Sequence, residues 1–203
     1  MTHGSLALIC MSSLAVLFRT GWFAGLEQEL QLSRRGVFYG LLLQIAFTGT
    51  IWAITPSLEV HVGVLLLVPF VIHLLMKKKG MQRLATSSVL IFIGSLFFLI
   101  EECLWSFPAN EQLVWSVVAG ILLASVMMTG ASSLNERVAG WTGGILLGDA
   151  MGLLYHWGKM SPLQFGSGVI RDFLWCGLTG WVIFHCVKQW VANRLHRSTE
   201  EGE

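Results

Sequence analysis

Residues 138–157 read VAGWTGGILLGDAMGLLYHW. Asp149 is the one Asp, Glu, Lys or Arg among these twenty residues. A helix of about 20 residues covers the roughly 30 Å hydrocarbon core of a bilayer, so the run is long enough to cross one. Gly140, Gly144, Gly148 and Gly152 recur every fourth residue. On a helix they stand one above another and form a stripe without side chains, which a neighbouring helix can approach closely. Whether that neighbour belongs to this chain or to another copy is open at this point. Leu147 and Leu154 are read as facing lipid. Asp149 lies beside the stripe. A carboxylate at mid-bilayer costs about 2.5–3.5 kcal/mol on insertion scales, so it points at other helices or at a water-filled cavity. An acid that handles protons and an acid satisfied for structural reasons fit equally well.

Working outward, six further apolar runs appear, and the seven together cover 5–25, 37–55, 60–76, 84–100, 112–131, 138–157 and 169–187. The connections are short and hold most of the charge. Of 203 residues 54% are hydrophobic and 12% charged, about half the charge of a soluble domain. A soluble domain of this size cannot bury that much apolar surface. A net charge of +1 and four Cys exclude a basic nucleic-acid binder and a disulfide scaffold. No run shows sustained period-two alternation, which argues against a transmembrane barrel. Backbone groups in lipid must be satisfied within their own segment. The expectation is an all-α polytopic bundle over 1–190 with a short polar tail at 191–203. The first run has no Lys or Arg before it and no small-x-small cleavage site after it, so it reads as an uncleaved helix rather than a signal peptide. Pro69 is expected to kink the third run.

Lys and Arg set the orientation. The first, third and fifth connections and the tail hold eleven, and the other side holds Lys159 and Arg171. That places the N-terminus outside and the C-terminus in the cytoplasm. Lys77, Lys78 and Lys79 read as a topology anchor. Seven of the nine Trp fall near run ends and read as headgroup anchors: Trp22, Trp141 and Trp190 inside, Trp52, Trp105, Trp115 and Trp157 outside. Trp175 and Trp181 lie deeper and read as packing residues.

Titratable groups gather at the outer ends. Asp149, His156, Glu101, Glu102 and Arg171 form a candidate polar pocket, with Glu59, His61 and Asp172 nearby. His156 is two turns beyond Asp149 on the same face. Adjacent helical residues point about 100° apart, so at most one of Glu101 and Glu102 faces a cavity. Arg171 is the expected ion-pair partner for Asp149, Glu101 or Glu102. Helix ends wetted independently explain the same residues. His3, His61, His73, His156, His185 and His196 form no zinc pattern, and Cys10, Cys103, Cys176 and Cys186 form no CxxC. There is no nucleophile elbow and no Walker A loop. Gly166-Ser-Gly168 reads as a turn. No cofactor or metal is implied.

With the runs placed, the chain resembles the YphA type of small polytopic membrane protein found in Bacillus-like bacteria. The likeness lies in size, span count and the stretch from Gly144 to Tyr155, where glycines flank an acid and an aromatic follows. The resemblance implies a plasma-membrane location and supplies no reaction, ligand or functional residue. Two function classes stand. One is a non-catalytic membrane component or accessory partner. It would meet the lipid bilayer and either a membrane-protein partner or another copy through the sixth run, and no nucleic acid. The other is a small-solute carrier or intramembrane enzyme using an outward-facing pocket around Asp149.

Overall fold

The computed structural model describes residues 4–21, 29–30, 32–105, 108–131, 133–159 and 161–200, the side chains of 105, 109–113 and 192–200 excepted. His3, Trp22, Phe23 and the side chains of Trp105, Glu111, Arg194, His196 and Arg197 thus lie outside the described residues. In chain order the elements are α1 Ser5–Thr20, α2 Arg34–Phe47, β1 Ile51–Thr55, β2 Leu58–His61, α3 Val62–Leu65, α4 Leu67–Met76, α5 Gly80–Trp105, α6 Ala109–Gly130, α7 Leu134–His156, β3 Leu163–Phe165 and α8 Gly168–Glu200.

Helix α1 is closed at both ends by side chains distant in sequence. Asp172 accepts from the Gly4 N–H at 2.8 Å and from the Ala7 N–H at 2.7 Å. Arg34 donates from Nε to the Phe18 carbonyl at 2.7 Å and from Nη2 to the Arg19 carbonyl at 2.6 Å. A carboxylate at the N-terminus and a guanidinium at the C-terminus match the helix dipole and satisfy groups that have no partner within the helix. The chain turns at Gly21, whose φ of 84° disfavours a side chain. The helix therefore stops at Thr20, short of the run expected to reach residue 25.

The second run is helical only to Phe47. Thr48 folds its hydroxyl back onto the Gln44 carbonyl at 2.7 Å, and Gly49 follows. The next residues, Ile51–Thr55, are rich in β-branched and aromatic side chains, which suit a strand. Strand β1 turns at Pro56 and Ser57 into β2, antiparallel, with Trp52 opposite Val60. Strand β3 lies parallel to β2, with Val60 opposite Phe165. The architecture is thus mostly helical, as expected, with a small three-stranded sheet at one end that the helical reading did not include. All five β1 residues are exposed, so the strand has no buried face and the sequence no alternation to reveal it. The third run begins as β2 and breaks at Leu66 between α3 and α4. Pro69 accounts for the place: its ring crowds the carbonyl four residues back, at Leu65.

Among the described residues α5 is the helix long and apolar enough to cross a bilayer by itself. Helix α7 lies along it, glycine to glycine. A Cβ added at Gly144 would stand 2.5 Å from Ile93 Cγ2, and one at Gly148 would stand 2.7 Å from the Gly94 carbonyl oxygen. On the facing side, a Cβ at Gly94 would meet the Gly144 carbonyl at 3.0 Å. Gly140 faces Met127 of α6, while Gly152 is open, with Glu101 the nearest group. At Gly144 and Gly148 the neighbour is this chain's own α5. Leu147, expected to face lipid, instead packs on Gly94; Leu154 is exposed.

Helix α7 begins at Leu134, four residues before its apolar run. Ser133 and Glu136 form a capping box there, and Lys78 pairs with Glu136 at 2.7 Å. The early start carries Trp141 two turns into the helix, where it is 2% exposed. Its indole N–H donates to the Leu174 carbonyl at 3.1 Å and its ring stacks on Phe173. Trp141 is a packing residue, not a headgroup anchor. Trp175 and Trp181 are buried, while Trp52, Trp115, Trp157 and Trp190 are exposed. Helix α8 has 33 residues, about 50 Å at 1.5 Å each. It continues to Glu200, through most of the segment read as a polar tail.

Candidate functional site

The titratable residues singled out in the sequence gather at the end of the bundle that carries the sheet, on several elements. Asp149 is the most enclosed, 4% exposed, and accepts the Gly166 N–H at 2.7 Å. Gly166 has a φ of 71°, and a side chain there would press into Val64. Asp149 therefore fixes the β3–α8 turn against α7. What the sequence shows as a small-residue turn is a backbone donor held by a buried carboxylate.

The two adjacent acids at the end of α5 diverge. Glu102 meets His156 at 2.7 Å. Glu101 turns to a groove between α5, α6 and α8, within Coulombic reach of Asp149, Glu102 and His156. The structure thus brings four of the five expected pocket residues to the α5–α7 contact.

Arg171 is not with them, which corrects its assignment as an ion-pair partner for these acids. Its guanidinium donates from Nη1 to the Thr48 carbonyl at the end of α2. Among the described residues Arg171 makes no ion pair with Asp149, Glu101 or Glu102. The reason is local. Arg171 and Asp172 are adjacent on α8 and so point in different directions. Asp172 faces the α1 N-terminus and Arg171 the α2 C-terminus. Asp172 thus meets the helix end of opposite partial sign, and so does Arg171 at Thr48, while the Arg171 guanidinium also lies beside Gly4 within Coulombic reach of Asp172. Glu59 accepts from the Gln164 amide at 2.9 Å, tying β2 to β3. His61 is buried within the electrostatic reach of Arg171.

Two features escaped the sequence reading. One is the role of Asp172 and Arg34 as caps of α1. Their partners lie 165 and 168 residues away for Asp172 and 15 and 16 for Arg34, and only the matching of charge sign to helix end hinted at it. The other is Gly177, where a Cβ would fall inside the Trp141 indole. A Gly paired with a misplaced Trp carries no local signal.

Chemically, Asp149, Asp172 and Arg171 are engaged by backbone groups, Glu102 and Glu59 by the side chains of His156 and Gln164, and Glu101 faces the groove. Among the described residues no three His, Cys, Asp or Glu side chains cluster as a metal ion would require.

A family model described as YphA-like integral membrane protein matches residues 28–203. The chain belongs to that family. No curated protein and no solved structure matches it. Membership explains the apolar exterior of this YphA-like protein. Ile9, Val16, Ile91, Phe92, Ile121 and Ile183 are each at least half exposed. Water would penalise such a surface, and hydrocarbon does not.

Proposed function

We propose that this YphA-like protein is a non-catalytic, multi-pass component of the plasma membrane, an accessory to other membrane machinery. The observation that carries the reading is the occupation of its polar groups. Asp149, Asp172, Arg171 and Glu102 each bind another element of the same chain. An acid or base poised for chemistry has to be free to meet a substrate; these fasten helix ends and a turn. The chain crosses seven times in this reading, with the sheet end outside and the basic connections inside, as the eleven-to-two split of Lys and Arg requires. Helices α1 and α2 have 16 and 14 residues, about 24 and 21 Å. Both are shorter than the hydrocarbon core. Flanking Arg19 and Arg35 snorkel to the surface and the bilayer thins locally to meet them.

The test is rescue of a deletion strain by Asp149→Asn and Asp149→Leu, scored on whatever growth or envelope difference the deletion produces. Asn keeps an oxygen for the Gly166 N–H but cannot take up a proton. The accessory reading expects Asn to restore the parent behaviour and Leu to lower protein abundance. An Asn variant of normal abundance and no rescue would favour the carrier or enzyme reading instead.

A further inference from the structure

Helix α6 meets α8 where Phe173 packs on Gly120, and beside that contact runs a groove of about 840 Å³ lined among others by Phe97, Glu101, Gly120, Ala124, Phe173 and Gly180. It follows α8 from Val169 to Phe184, about 22 Å of helix. Several lining residues, Leu6, Val117, Val169 and Phe184, are themselves exposed, so the groove opens sideways to its surroundings. In an integral membrane protein those surroundings are lipid. The lining holds two carboxylates, Glu101 and Asp172, and no Lys, Arg or His. Each oxygen of Asp172 already accepts one backbone N–H, from Gly4 and from Ala7. Glu101 has no hydrogen-bond or ion-pair partner among the described residues.

We propose that the groove seats one hydrocarbon tail of a membrane lipid whose headgroup carries a primary ammonium, with that ammonium on the Glu101 carboxylate. The shape favours a chain over a compact molecule: the cavity is long, apolar and open along its side. A tail alone gives no selectivity, because bilayer lipid is as apolar as the groove. Selectivity must come from the head. An ammonium offers three donors and a positive charge to an acid without a hydrogen-bond partner among the described residues, whose neighbouring His156 is engaged by Glu102. A headgroup whose sole charge is a phosphate meets two carboxylates and no cation. The site depends on membrane placement and is independent of whether the protein is an accessory component.

Native mass spectrometry of the purified protein, after equilibration with equal amounts of phosphatidylethanolamine and phosphatidylglycerol, tests this. The expected result is one retained lipid with a preference for the ethanolamine head of about fivefold, equivalent to about 1 kcal/mol. Glu101→Gln should bring the preference to near one while lipid is still retained. Gly180→Leu provides a second arm. Gly180 lines the groove and a Cβ there meets nothing within 4 Å, so the added side chain takes up groove space and should reduce retention of both lipids at an unchanged melting temperature. Equal retention of the two lipids by the parent overturns the proposal. So does a Glu101→Gln variant that keeps the preference, or a folded Gly180→Leu variant that retains lipid like the parent.

Discussion

Asp172 and Asp149 show how a charge becomes affordable in an apolar chain. Each carboxylate replaces water with backbone N–H groups aimed at it, two for Asp172 and one for Asp149. An Asp172→Ala substitution leaves the first turn of α1 without its acceptor and its negative charge. Caps of this kind are worth about 0.5–2 kcal/mol, so a lower melting temperature in detergent is expected, with Asp172→Asn falling between parent and Ala. Asp149→Leu buries an unsatisfied Gly166 N–H, at about 1–3 kcal/mol, and should melt earlier than Asp149→Asn. If Asp149→Leu melts like the parent, the carboxylate is not holding the turn. The sequence marks Asp149 as costly and leaves its partner open. The donor is a glycine N–H seventeen positions away, and backbone donors have no sequence signature.

At the scale of elements, the fold rests on the contact between α5 and α7. Helices in lipid gain little by burying apolar side chains against one another, so close approach and van der Waals contact must supply the association. Gly144, Gly148 and Gly94 permit that approach. Gly144→Leu or Gly148→Leu should cost about 1–3 kcal/mol through overpacking, seen as reduced abundance and earlier melting of a monomeric preparation. Leu154→Ala, at an exposed position, is the control and should matter less. Parent-like melting of both Leu variants would mean that the stripe does not pack on α5. The approach of α1 to α8 has its own test. The Cys10 and Cys176 sulfurs lie 3.8 Å apart, near enough for a mild two-electron oxidant to join them, each thiol losing a proton and one electron. Oxidation should give an internal cross-link that Cys10→Ser abolishes and Cys103→Ser does not. The spacing of glycines was readable because helical periodicity is a local property. The end of α2 and strand β1 were not: an exposed apolar strand and the end of an apolar helix have the same composition, and Ile51–Thr55 lacks the one-sided burial that would tell them apart. Leu147 and Trp141 were misplaced for a related reason. The depth of Trp141 depends on where α7 starts, at a capping box outside the apolar run, and Leu147 flanks Gly144 and Gly148 closely enough to share their contact with Gly94.

Over the whole molecule, two ends differ in chemistry. One end carries the sheet, Glu59, Glu101, Glu102, Asp149, His156 and the α8 start. The other carries the capping box of α7, Lys78 on Glu136, and the chain from Met76 to Gly80. An apolar exterior and the internal engagement of Asp149, Asp172 and Arg171 describe a molecule built to be held in a membrane. The claim that organises this picture is that the sheet end is outside and the lysine-rich end is inside. Reporter fusions read it directly: one near Ser57 in the hairpin, one after Lys79 and one at the C-terminus. The account predicts an external signal at Ser57 and cytoplasmic signals at Lys79 and the C-terminus, with an N-terminal tag accessible from outside. Signals from Ser57 and Lys79 on the same side, or N- and C-termini on the same side, would contradict it.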